Sequence, residues 1–102
     1  MNEVKINGVV EGKLLVSLSR DIDASNAENF YDEVIGAYQE APSDILFECA
    51  ELEFIDSTTL GTFVKILKQV KASGNGMALK NLQPKVKKLF SICARDKIME
   101  IL

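Results

Sequence analysis

The stretch Phe54-Ile55-Asp56-Ser57-Thr58-Thr59-Leu60-Gly61 places one carboxylate and three consecutive hydroxyls where a short apolar pair gives way to a helical pattern. One chemistry for such a run is helix capping. Ser57 would accept the Thr59 or Leu60 amide through its side-chain oxygen, and Asp56 would sit favourably at the positive end of the helix. That account leaves Thr58 and Thr59 without a reason, because β-branched residues are modest first-turn choices. Gly61 is equally unexplained: it costs roughly 1 kcal/mol against Ala inside a helix unless something must approach closely there. A second chemistry, activation of the Ser57 hydroxyl by Asp56, is disfavoured because neighbours i and i+1 at a helix start seldom aim at one another. No catalytic residue is therefore assigned.

Other reactive side chains are scarce among the 102 residues. The absence of histidine excludes a Ser-His-Asp triad, a Cys-His pair and every His-containing zinc site. Cys49 and Cys93 lie far apart and form no C-x-x-C, so they read as two core thiols of a reducing compartment. No metal or cofactor is expected, and with no Gly-x-x-x-x-Gly-Lys loop there is no nucleotide site; Gly74-Asn75-Gly76 reads as a helix stop. Apolar runs reach only three residues, as in Leu14-Leu15-Val16, against about 20 needed to cross a bilayer. With no basic-then-apolar leader at Met1 to Lys5, the expected location is the cytoplasm, without membrane insertion.

The elements that must position the hydroxyl run follow from periodicity. Val4, Ile6 and Val9 sketch one strand and Leu14, Val16 and Leu18 a second, joined by a turn at Glu11-Gly12. Ser25 and Glu28 have capping-box spacing, with Asp23 as an alternative cap, ahead of Ala27, Phe30, Tyr31, Val34 and Tyr38 at helical intervals. This predicts a first helix ending near Ala41-Pro42. Asp44 to Cys49 reads as a central parallel strand covered on both faces. Leu60, Phe63, Val64, Leu67 and Val70 then line one side of a second helix, with Lys65, Lys68 and Lys71 on the other. Met77 to Lys80 is a short strand. Pro84 opens a third helix with Val86, Leu89, Phe90 and Cys93 inward and Lys85, Lys87 and Lys88 outward, and Lys97 to Leu102 is a last strand. The order β-β-α-β-α-β-α-β requires an α/β fold with a mixed, mostly parallel sheet and helices packed against it, one domain over residues 1–102.

The run Phe54 to Gly61 resembles the signature of STAS domains, named for sulfate transporters and anti-sigma factor antagonists, in which a hydrophobic pair precedes Asp-Ser-Ser/Thr-Gly-Leu-Gly. Asp21-Ile22-Asp23 resembles the family's Gly-Glu-Leu-Asp segment, and Pro84 to Phe90 its third helix; the likeness runs nearly full length. The resemblance, in particular to the small stand-alone bacterial antagonists, implies that Ser57 is a phosphoacceptor. Its modifier would be a partner that is both anti-sigma factor and serine kinase, and a PP2C-type phosphatase would reset it. The chain is then the substrate and not the enzyme, bound to the kinase when bare and released when phosphorylated. The same resemblance implies partner contacts at Asp21, Asp23, Asp56, Thr58, Thr59, Gly61 and Thr62. Thr59 stands where the family has Gly, which makes Thr58 and Thr59 alternative acceptors. Many relatives carry a C-terminal helix that packs on the sheet beyond the last strand; with the sequence given ending at Leu102, the resemblance implies either a minimal version or something else covering that face. A second role known for small STAS proteins is as a subunit of a membrane transport complex, bound to its ATPase, without a phosphoswitch.

The net charge of −3 conceals an asymmetry. Residues 1–56 carry 13 acids and 3 bases, whereas residues 57–102 carry 2 acids and 9 bases. An acidic chain with two Tyr and no Trp suits a protein partner better than nucleic acid.

Overall fold

In a computed structural model the protein is described over residues 4–93 and, as backbone, over residues 100–101. The strands are β1 (Val4–Val10), β2 (Lys13–Leu18), β3 (Asp21–Ile22), β4 (Asp44–Glu48), β5 (Phe54–Ile55), β6 (Met77–Lys80) and β7 (Glu100–Ile101). The helices are α1 (Ala27–Glu40), α2 (Ser57–Ala72) and α3 (Pro84–Cys93). Five strands form one sheet in the order β1-β2-β4-β6-β7, with β1 antiparallel to β2 and every other pair parallel. The expected α/β fold with a mixed, mostly parallel sheet is therefore present.

Two elements leave no trace in the periodicity. β3 and β5, two residues each, pair in parallel as a separate ribbon, Asp21 opposite Phe54 and Ile22 opposite Ile55. Segments this short carry no measurable alternation, so nothing in the pattern distinguishes them from loop. The Glu11-Gly12 turn is as expected, both residues lying at positive φ (53° and 79°), which suits the tight twist of a hairpin. In β1 the register slips between Ile6 and Val9, and Gly8 adopts φ 84°: an edge bulge.

The register explains where the core sits. Leu14, Ile45 and Met77 form one row across three strands and Val16, Phe47 and Leu79 the next, all buried. All three helices contribute to that same cluster, through Phe30, Val34 and Tyr38, through Phe63, Ile66 and Val70, and through Val86 and Phe90. Among the described residues the helices therefore cover β4 on one face, where the sequence predicts cover on both. On the other face Leu15, Leu46 and Ala78 share a row beside Ser17, Glu48 and Lys80, with Leu15 and Leu46 half-buried. The short apolar run fits a buried strand on either count, which is why sequence alone does not separate the two.

Further expectations need correction or limits. The N-cap of α1 is Asn26, not Ser25 or Asp23, and its side chain makes no capping bond. It turns back to accept the Asp23 N–H (2.9 Å), while Asp23 accepts both the Ser25 N–H (2.9 Å) and the Ser25 hydroxyl (2.5 Å). The polar residues ahead of α1 thus build a loop rather than a capping box. Leu89 is 39% exposed instead of inward. The Cys93 side chain, residues 97–99 and Leu102 lie outside the described residues. Cys49 is fully buried, and burial, then the neighbouring Glu48 charge, push its thiol up to about 12.

An aromatic chain ties helices to sheet. Phe63 on α2 meets Phe30 on α1 (5.1 Å between centroids), Phe47 on β4 (5.3 Å) and Phe90 on α3 (5.2 Å), tilted or edge-on as ring quadrupoles favour. Truncating the shared ring removes contacts to three elements at once. We expect Phe63→Ala to cost about 3–5 kcal/mol, read from the urea midpoint at unchanged m-value. An effect below about 1 kcal/mol would contradict this packing.

Candidate functional site

The site lies at the carboxyl ends of β2 and β4, where the connections into α1 and α2 meet. Arg20 leaves β2 with its carbonyl accepting the amides of Glu53 (2.7 Å) and Phe54 (3.0 Å), which starts the β3–β5 ribbon. Ile22 and Ile55, one from each short strand, are buried beneath it. The ribbon therefore sets the start of α2 against the start of α1.

Asp56 ties these two helix starts together. Its backbone is extended (φ −118°, ψ −176°), and it is the N-cap of α2, the role expected of Ser57. Oδ1 accepts the Thr59 N–H at 2.9 Å, and Oδ2 accepts the Ala24 N–H of the β3–α1 loop, also at 2.9 Å. The carboxylate prevails as cap because it satisfies donors on both sides with two oxygens, which a single hydroxyl cannot. The Thr59 amide, opposed by partial desolvation and aided by the Thr59 hydroxyl and Ala24 amide, holds the Asp56 carboxyl below its ordinary value of 3.8.

Thr59 is the residue whose presence capping does not explain. It is wholly buried, and its hydroxyl donates to the Ile22 carbonyl at 2.6 Å while lying 3.0 Å from Asp56 Oδ1. It fastens the first turn of α2 to β3. Thr62 is also buried, its hydroxyl donating to the Thr58 carbonyl one turn back (2.9 Å). Of the expected partner-contacting positions, Thr59 and Thr62 thus face inward, whereas Asp21, Thr58 and Gly61 are exposed and Asp23 and Asp56 half-buried.

Ser57 is the first residue of α2 and is exposed. Among the described residues neither its hydroxyl nor that of Thr58 has a side-chain or backbone partner. The Asp56 oxygens are directed to Ala24 and Thr59, so they do not orient Ser57 as a nucleophile. Among the described residues no group of three or more Cys, Asp or Glu is placed to hold a metal ion. No helix there is long and apolar enough to cross a membrane. The arrangement presents a hydroxyl outward at a helix N-terminus.

Sequence reasoning missed Phe54, which is half-exposed beside this site, and the Ala24 amide that Asp56 holds. For Phe54 a signal exists, since two consecutive strand residues must point to opposite sides and only one can enter the core. For Ala24 there is none.

This geometry is that of a known family: residues 3–102 match the STAS domain, and the chain belongs to it. It is 28% identical over 91 residues to the anti-sigma-B factor antagonist of Bacillus subtilis, covering 89% of this chain and 83% of that protein. The solution structure of TM1081, from Thermotoga maritima, is similar with a TM-score of 0.82 and 27% identity, covering 100% of this chain and 80% of the other. The Bacillus protein SpoIIAA, an anti-sigma factor antagonist, shares the fold in its unphosphorylated form (TM-score 0.76, 19% identity, 97% and 86% covered). Its phosphorylated form is equally similar (0.75, 20%, 97% and 90%).

Thr59→Val keeps the volume but leaves the buried Ile22 carbonyl without its hydroxyl donor, so it should cost about 1–3 kcal/mol, whereas Ser57→Ala and Thr58→Ala should stay within about 0.5 kcal/mol. Urea denaturation of the three variants checks the contrast, and equal losses would refute it. For Asp56 the folded pKa is depressed, so its contribution is complete above about pH 4 and is lost as pH falls through the folded value. The Tm advantage of the parent over Asp56→Asn should therefore shrink between about pH 6 and about pH 2, and a constant difference would remove the carboxylate's role.

Proposed function

We propose that this protein is an anti-sigma factor antagonist whose Ser57 hydroxyl is phosphorylated by its partner, an anti-sigma factor with serine kinase activity. In this reading the whole chain, residues 1–102, is one STAS domain acting in the cytoplasm as substrate rather than enzyme. A PP2C-type phosphatase restores the bare form. The observation that carries the proposal is the exposed Ser57 hydroxyl, without a partner among the described residues, at the first position of α2 on a backbone fastened by Asp56 and Thr59. Thr58 is the accessible alternative acceptor. Thr59 is buried with its hydroxyl engaged, so a kinase reaches it only by unfolding the first turn of α2.

Electrostatics supports a switch of affinity rather than of fold. A phosphate adds about −1.5 to −2 charges at a helix N-terminus, where backbone N–H groups and the helix dipole favour it, beside an Asp56 that disfavours it. The internal balance is therefore small. Burying the same charge unpaired against a partner costs several kcal/mol, and roughly 3 kcal/mol lowers affinity about a hundredfold. SpoIIAA has the same fold in its unphosphorylated and phosphorylated forms, which agrees with a switch acting at the surface.

The test is a pull-down from the native host with Ser57→Ala and Ser57→Asp baits, followed by titration of the retained protein. Retention of a kinase-like anti-sigma factor by the Ala bait, with about hundredfold weaker binding by the Asp variant, is expected. Equal binding by both would end the switch reading, and retention of the same transport ATPase by both would put the transport-subunit role in its place.

A further inference from the structure

Among the described residues, the other four phenylalanines, Phe30, Phe47, Phe63 and Phe90, are at most 1% exposed, Tyr38 is buried and Tyr31 is half-buried under the Lys65 ammonium. Phe54 is the exception at 50%. It is not a loose loop residue: its N–H is bonded to the Arg20 carbonyl, its strand neighbour Ile55 is locked in the core, and Asp21 stands opposite it on β3. A rigid aromatic turned to water on a hydrogen-bonded strand loses little side-chain freedom when a partner covers it, the property of an interface anchor.

The two chain segments that build this end are acidic in sequence, with the Lys65 ammonium set over Tyr31. The segments 21–31 and 50–64 contain no Lys or Arg, and the nearby Arg20 is engaged by Glu53 at 3.0 Å. Asp21, opposite Phe54 on β3, is exposed, and Asp23 and Asp56, two residues on from Asp21 and Phe54 respectively, are half-buried. Gly61 adds an independent observation one turn beyond Ser57. It is exposed within α2, and a Cβ there, as at Gly36 in α1, would meet open space beyond its chain neighbours and its own helix backbone, so no close contact among the described residues accounts for its helix cost.

We propose that Phe54 and Gly61 frame the contact surface around Ser57, Phe54 filling an apolar pocket rimmed by Lys and Arg on the partner protein and Gly61 admitting the partner's backbone against α2. The proposal rests on the reading of Ser57 as the centre of a partner surface and adds to it the anchor and the chemistry of the partner. The basic rim complements Asp21 and Asp23, so these acids speed encounter at low salt, and the ring slows dissociation.

The test begins with a benzoylphenylalanine photocrosslinker placed at position 54 or position 58 of the full chain in the native host. Adducts to one protein from both positions are expected. An adduct from 58 alone overturns the anchor and leaves the partner surface standing; an adduct from neither overturns both. The crosslinked protein, purified, is then titrated with variants of the unlabelled chain. Phe54→Ala should weaken binding about thirtyfold or more at unchanged Tm, and Gly61→Ala should raise Tm yet weaken binding about tenfold. Val10→Thr, at a half-exposed apolar position on the hairpin end of β1, should change affinity less than about twofold. Binding of Phe54→Ala within about threefold of the parent, or a response at Val10 as large as at Phe54, would overturn the proposal.

Discussion

One carboxylate holds the functional end of this protein together. Asp56 receives the Thr59 amide with one oxygen and the Ala24 amide with the other, and so spans the start of α2 and the loop that leads into α1. Around it the ribbon of β3 and β5 fixes the approach of both segments, and the buried Thr59 hydroxyl closes the third side against Ile22. Remove any of these and Ser57 remains on the surface, but its position relative to Asp21, Asp23 and Phe54 is no longer defined. The energetic reason is the usual asymmetry of buried polar groups: each such bond adds little on its own, and each unmade one costs more.

Deeper in, the aromatic chain does for the layers what Asp56 does for the site. Phe63 belongs to the helix that begins at Ser57 and touches rings from α1, β4 and α3. The helix bearing Ser57 is thus seated through a ring near its start. Its outer side, by contrast, carries Ser57, Thr58 and Gly61 ahead of Lys65 and Lys68, all exposed. A helix with one face so firmly packed and the other so lightly furnished can change its surface charge without moving.

How much of this is legible in the residues alone depends on length scale. Helices with four or five apolar residues at the right spacing, such as the stripe from Leu60 to Val70, can be read with their termini, because Gly74 at φ 85° and Pro84 at the head of α3 punctuate them. The hydroxyl run stands out for the right anomaly, two threonines that capping does not explain, and the structure assigns Thr59 to the core and leaves Thr58 outside. What sequence cannot decide is competition among nearby polar groups. Ser25, Asp23 and Asn26 are all competent caps, as are Ser57 and Asp56, and tertiary partners such as the Ala24 amide choose among them. Leu89 and β4 depart from expectation for a different reason: spacing tells which side chains share a face, not whether another layer covers it.

The bulge in β1 has a meaning for the molecule's social life. Ile6, Val9 and Val10 leave that edge strand greasy, at 37%, 45% and 49% exposure, and a regular edge of that character invites a stranger's strand to continue the sheet. The slip between Ile6 and Val9, with Gly8 folded into the left-handed region, breaks the even spacing a newcomer would need to dock in register. The bulge thereby turns this flank of the sheet away from open-ended strand addition, and leaves the carboxyl ends of the strands as the face free to meet other molecules.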